Sequence, residues 1–135
     1  MGGEYHERLD KAMEQYRKAQ FGSGKNLGTA LERAYNSLTV AIRYGELTPW
    51  QKESHARNLE LLVENHNQIA TKKYFWKTAS WITGNKKIIP TYWITGRKLK
   101  REIKKTEQVK NECQRIQEEA IREGNEAIRC EKHTY

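Results

Sequence analysis

Leu27, Leu31, Ala34, Tyr35, Leu38, Ala41 and Ile42 recur at steps of three and four residues, and this period constrains the chain more than any other feature. A repeat near 3.6 gathers those side chains on one face of an α-helix, whereas a strand would send them to both faces of a sheet. The spacing returns along the chain. Tyr5, Leu9, Ala12, Met13 and Tyr16 mark a helix over about residues 4–20, and Leu59, Leu62, Val63, His66, Ile69 and Ala70 give a third helix its inward face. Leu99, Ile103, Val109, Cys113, Ile116, Ala120, Ala127 and Ile128 form a weaker stripe of mostly small residues on a last helix that starts near Thr95 or Gly96.

The breaks between these stripes are written in turn and cap residues. Paired glycines in Phe21-Gly22-Ser23-Gly24-Lys25-Asn26 stop the first helix, and Thr29 with Glu32 has capping-box spacing at the start of the second. Gly45 closes the second helix. Thr48, Pro49 and Gln51 supply an N-cap, a first-turn proline and the return partner of a capping box for the third. That helix runs to about Trp81, with Gly84 ending it, and Ile88-Ile89-Pro90 calls for extended backbone beyond it. A short hairpin turning at Gly84-Asn85 is the alternative. Gly124 weakens the last helix by about 1 kcal/mol relative to alanine, so fraying is expected from there to Tyr135. The expected fold is all-α: one domain, a small helical bundle of about four helices with a long basic C-terminal helix. It divides into an N-terminal helical pair or arm (1–46), a third helix (48–82), an aromatic and basic connector (83–95) and the last helix (96–131).

With 135 residues, 36% of them apolar and 31% charged, the core must be thin. Such a chain completes its burial by oligomerising, with itself or with another protein, or by lying on a ligand. No apolar run approaches the roughly 18 residues that span a bilayer, and the N-terminus lacks the apolar centre of a signal peptide, so a soluble intracellular or virion protein is expected. Gly2 follows Met1, but the myristoylation motif wants Ser or Thr where His6 stands. Cys113 and Cys130 have no metal-type pairing and would lie roughly 25 Å apart on one helix, which suits a reducing compartment and no disulfide.

The net charge of +8 is local. Lys72, Lys73, Lys77, Lys86, Lys87, Arg97, Lys98, Lys100, Arg101, Lys104 and Lys105 face a single acid, Glu102, so this segment carries +10. The fourteen basic and sixteen acidic residues elsewhere nearly cancel. Tyr74, Phe75, Trp76, Trp81, Tyr92 and Trp93 are interleaved with those cations. Cations neutralise phosphates and release condensed counterions, and aromatic rings stack on exposed bases, so the composition is that of a nucleic-acid surface. Arg97, Lys98, Arg101, Lys104 and Lys105 form a ridge at the start of the last helix, where cations oppose the macrodipole unless an anion sits there. Trp81-Ile82-Thr83-Gly84 recurs as Trp93-Ile94-Thr95-Gly96, each copy leading into a basic group. The two copies either present an indole ring beside cations or plug the core.

Enzyme signatures are missing from the sequence. Gly22-Ser23-Gly24-Lys25 resembles the end of a P-loop, but Ala19 stands at the first glycine position, Asn26 at the Ser/Thr position, and a helix precedes it. His55 and His66 lie about three turns apart, roughly 16 Å, too far to share a metal, and His66 reads as a satisfied core histidine. No catalytic residue, metal site or cofactor is therefore expected. A helix-turn-helix at Gly45–Pro49 would put Trp50, Gln51, Lys52 and Glu53 on the recognition helix, with few cations before Lys72, which favours backbone-dominated contact over base readout.

The functional expectation is a non-enzymatic structural protein that coats or packages DNA or RNA with low sequence specificity, in the manner of a viral or phage coat or nucleocapsid component, acting as an oligomer. The contact residues would be Lys72, Lys73, Lys77, Trp81, Lys86, Lys87, Trp93, Arg97, Lys98, Lys100, Arg101, Lys104 and Lys105. The alternatives are a matrix-like protein on anionic lipid, with Trp81 and Trp93 at the membrane surface, and a helical adaptor for an acidic protein.

Overall fold

The computed structural model describes residues 3–21, 27–83 and 96–134, with the helical backbone alone at 73–83 and 131–134. It contains four helices, α1 (Glu4–Phe21), α2 (Leu27–Arg43), α3 (Pro49–Thr83) and α4 (Gly96–Thr134), and no strand among the described residues. Cross-helix contacts fix their directions. Tyr5 of α1 stacks on Tyr44, just past the end of α2, with ring centroids 4.5 Å apart, so α1 and α2 are antiparallel. Lys52 pairs with Glu123, Gln117 with Glu60, and His66 with Glu102, so α3 and α4 are antiparallel as well. His6 meets His55 and Tyr16 meets His66, which makes α1 parallel to α3. The result is an up-down-up-down bundle.

The sequence stripes become its core. Leu9, Ala12 and Tyr16 of α1, Leu27, Leu31, Ala34, Leu38 and Ala41 of α2, Ala56, Leu59 and Val63 of α3, and Val109, Cys113 and Ile116 of α4 pack into one cluster, with Leu47 beneath the α2–α3 turn. Alanine at five of these core-facing positions, counting Ala120, lets the helix axes approach closely but contributes little apolar area, which is the thin core the composition implies. Fully burying a leucine is worth about 1.5–3 kcal/mol, so Leu9, Leu31, Leu38 and Leu59 carry a large share of the stability. Burial pushes the Cys113 thiol up to about 12, with Glu60 and Glu112 adding to the effect, and this keeps it protonated and inert.

The α2–α3 turn shows how local chemistry sets helix ends. Gly45 takes φ +69°, the left-handed conformation that only glycine adopts without cost. It donates its N–H to the Ile42 carbonyl and Glu46 donates to that of Ala41, the two bonds of a Schellman ending. Thr48 and Gln51 then close the expected capping box, through Thr48 N–H to Gln51 Oε1 at 3.0 Å and Gln51 N–H to Thr48 Oγ1 at 3.2 Å.

Glu46, between these two devices, reaches across to cap α1. Its Oε1 accepts from the backbone N–H groups of Gly3, Tyr5 and His6 at 2.7, 3.0 and 3.2 Å. Desolvation alone would raise the pKa of this carboxyl, but the N–H groups of His6, Gly3 and Tyr5 outweigh it and the net shift is downward. A carboxyl with a lowered folded pKa contributes stability that is present above its unfolded value, about 4.3, and is lost as pH falls through the folded one. Glu46→Gln should therefore melt below wild type at pH 7, and the gap should close as pH drops below about 4. A gap independent of pH in thermal melts would show that the charge of Glu46 contributes nothing.

Three expectations are corrected by the structure. Thr29 lies inside α2, after the buried Leu27, so Thr29 and Glu32 do not cap it; the Glu32 carboxylate pairs instead with Lys105 of α4. The last helix is unbroken at Gly124. It continues to Thr134, and a Cβ placed at Gly124 would meet Pro49 at an ordinary 3.9 Å. Ala127 and Ile128 continue the stripe in sequence but are exposed, because α3 begins at Pro49 and no described helix lies beside α4 past that level. The proposed hairpin at Gly84-Asn85 and the Gly22–Lys25 turn fall outside the described residues.

Candidate nucleic-acid interface

α4 starts at Gly96 with no acidic residue in its first turn, so Arg97, Lys98 and Lys100 stand at the positive end of the helix dipole. At about 100° per residue, Arg97, Arg101 and Lys104 point roughly 140–180° away from the fully buried Thr106, on the outward face. Arg97, Lys98, Lys100, Arg101 and Lys104 are all exposed. No ion pair joins Arg97, Lys100, Arg101 or Lys104 to another described residue.

The single acid of the basic segment is turned inward. Glu102 Oε2 lies 2.8 Å from Nε2 of His66, and Nδ1 of that ring lies 2.8 Å from the Tyr16 hydroxyl. The bonds are satisfied if Tyr16 donates to Nδ1 and the Nε2–H donates to the carboxylate. Desolvation holds the Tyr16 hydroxyl far above its usual pKa, so it stays a neutral donor. His66 is 2% exposed and Tyr16 0%, which makes this relay a buried tie between α1, α3 and α4. His66 is thus the satisfied core histidine its place on the apolar stripe implies. Beside it Thr106, also buried, bonds to Asn67 Oδ1 and to the Ile103 carbonyl.

The other sequence-selected residues are distributed as follows. Lys105 flanks the ridge and its ammonium sits on Glu32, while Lys110, one turn on, pairs with Glu64 at 3.2 Å. Lys72 is exposed on α3. Lys73, Lys77 and Trp81 lie on the last three turns of that helix, where only backbone is described, and Lys86, Lys87 and Trp93 lie outside the described residues. α3 continues thirteen residues past Ala70, about 20 Å, beyond the level where Gln20 near the end of α1 bonds the Leu62 carbonyl. The two Trp-Ile-Thr-Gly copies bracket the connector: Thr83 is the final residue of α3 and Gly96 the first of α4.

At the opposite end the fold brings together residues that sequence spacing could not. His55 lies against His6 of α1 with Asp10 beside both, a group formed across a separation of 49 residues. The one sequence trace of it is His6 and Asp10, four apart on a helix face. No helix among the described residues is long and apolar enough to cross a membrane. Comparison with protein-family models, with curated proteins and with solved structures finds no match to this chain.

Proposed function

We propose that this protein binds the phosphate backbone of nucleic acid along the outward face of α4, as a non-enzymatic coat or packaging component of viral or phage type that works as an oligomer. The observation that carries the reading is the inward turn of Glu102: the only carboxylate between Lys72 and Lys105 is held by His66, and the face bearing Arg97, Arg101 and Lys104 is left uniformly cationic. Ridge cations at a helix N-terminus are electrostatically unfavourable in the free protein and become favourable when an anion arrives. Lys72, Lys73 and Lys77 on α3 and Lys86 and Lys87 in the connector extend the same charge, and Trp81 and Trp93 would supply stacking surfaces.

An anionic membrane is the weaker reading. Lipid binding wants a contiguous apolar face beside the cations, whereas the aromatic residues from Tyr74 to Trp93 are interleaved with lysines in sequence, and among the described residues the exposed Trp50, Ile121 and Ile128 gather where α4 passes Pro49, at the other end of the bundle. Filter-binding titrations with single-stranded RNA, duplex DNA and anionic vesicles at several salt concentrations test the proposal. Nucleic-acid affinity should fall with a log-log slope of roughly −4 to −8, the value for about five to nine phosphates. A flat salt response, or tight binding to the vesicles alone, would overturn it.

A further inference from the structure

We infer that His6, Asp10 and His55 form a binding site for a divalent transition metal of the zinc class, which staples α1 to α3. His6 Nε2 and His55 Nε2 are 3.1 Å apart, with ring planes at 86°. Asp10 Oδ1 lies 3.8 Å from each of the two nitrogens. Three donor atoms of two helices therefore converge on one point. Around a tetrahedral ion with bonds of about 2.0–2.1 Å, donor atoms stand roughly 3.3 Å apart, so the nitrogens need almost no movement. The exposed Asp10 side chain needs about half an ångström, which a free carboxylate rotamer supplies.

Two ε-nitrogens facing each other can share a single proton, and protonating both sets two cations 3.1 Å apart. Neutral imidazole is the form that ligates. Two imidazoles and one carboxylate select zinc, nickel or copper over calcium or magnesium, which take oxygen ligands, and they leave a fourth position for water. The site adjoins the first turn of α1, the turn already capped by Glu46.

Titration of the full chain with Zn2+, and with Co2+ for its visible ligand-field bands, is the test. One ion per chain should bind, raise the melting temperature and give tetrahedral-type cobalt bands. Asp10→Asn, at an exposed position, should keep the fold and weaken Zn2+ by at least about tenfold, and His6→Gln by about a hundredfold or more. Cys130→Ser, which removes the exposed thiol on α4, should bind as wild type does. Unchanged Zn2+ affinity in both Asp10→Asn and His6→Gln would overturn the assignment, as would loss of binding in Cys130→Ser. Should His55→Gln melt too low to titrate, the other two variants still decide.

Discussion

Changing Arg97, Arg101 and Lys104 together to glutamine should lower affinity for nucleic acid of any sequence by about a hundredfold at 0.15 M salt. Three lost phosphate contacts remove about 2.7 powers of salt concentration from the binding constant, so the log-log slope should flatten by nearly three at the same time. The three side chains are exposed and point away from the core, so helical circular dichroism and melting temperature should stay put. Removing cations from the first turns of α4 even relieves a small clash with its dipole. An unchanged slope would refute the ridge as the phosphate contact, and a collapsed dichroism signal would assign these residues to the fold.

The second large effect is on stability. His66→Ala should cost about 3–5 kcal/mol, because it opens a cavity among α1, α3 and α4 and strips the buried Tyr16 hydroxyl of its partner. Against a total of about 5–15 kcal/mol for a domain, that loss would move the urea midpoint far down at unchanged m-value. The same change takes from Glu102, whose side chain is one-third exposed, the imidazole that holds it inward. Folded His66→Ala should therefore also bind nucleic acid more weakly than wild type, whereas Tyr16→Phe, which removes the hydroxyl and leaves His66 to hold Glu102, should lose stability with affinity intact. Equal affinity in the folded fractions of wild type and His66→Ala would separate the histidine from the charge pattern of the ridge.

Much of this fold is legible from the chain because helices are local objects. The stripe from Leu27 to Ile42, the Gly45 ending and the Thr48–Gln51 box depend on residues within a turn or two of each other, and each appears where period and cap chemistry put it. The inward reading of His66 follows from the same periodicity, since a polar residue on an apolar stripe must find partners once buried. Thr29 and Gly124 mislead for one reason: a local motif was weighed without its tertiary neighbours. Leu27 is buried as the first residue of α2, so the helix starts ahead of Thr29. Gly124 lies within the helix against Pro49, after a segment held by pairs such as Arg115 with Glu112 and Glu119.

The candidate sites divide along the same line. The sequence by itself determined an all-helical chain, the faces its helices bury and the concentration of positive charge between Lys72 and Lys105, because periodicity and formal charge are properties of neighbouring residues. Only the tertiary structure decided which way Glu102 turns, that Lys105 is engaged by Glu32, and that His6 and Asp10 meet His55. Those outcomes depend on helix order, direction and register, which are fixed when four apolar stripes find a common core and which no spacing along one helix encodes.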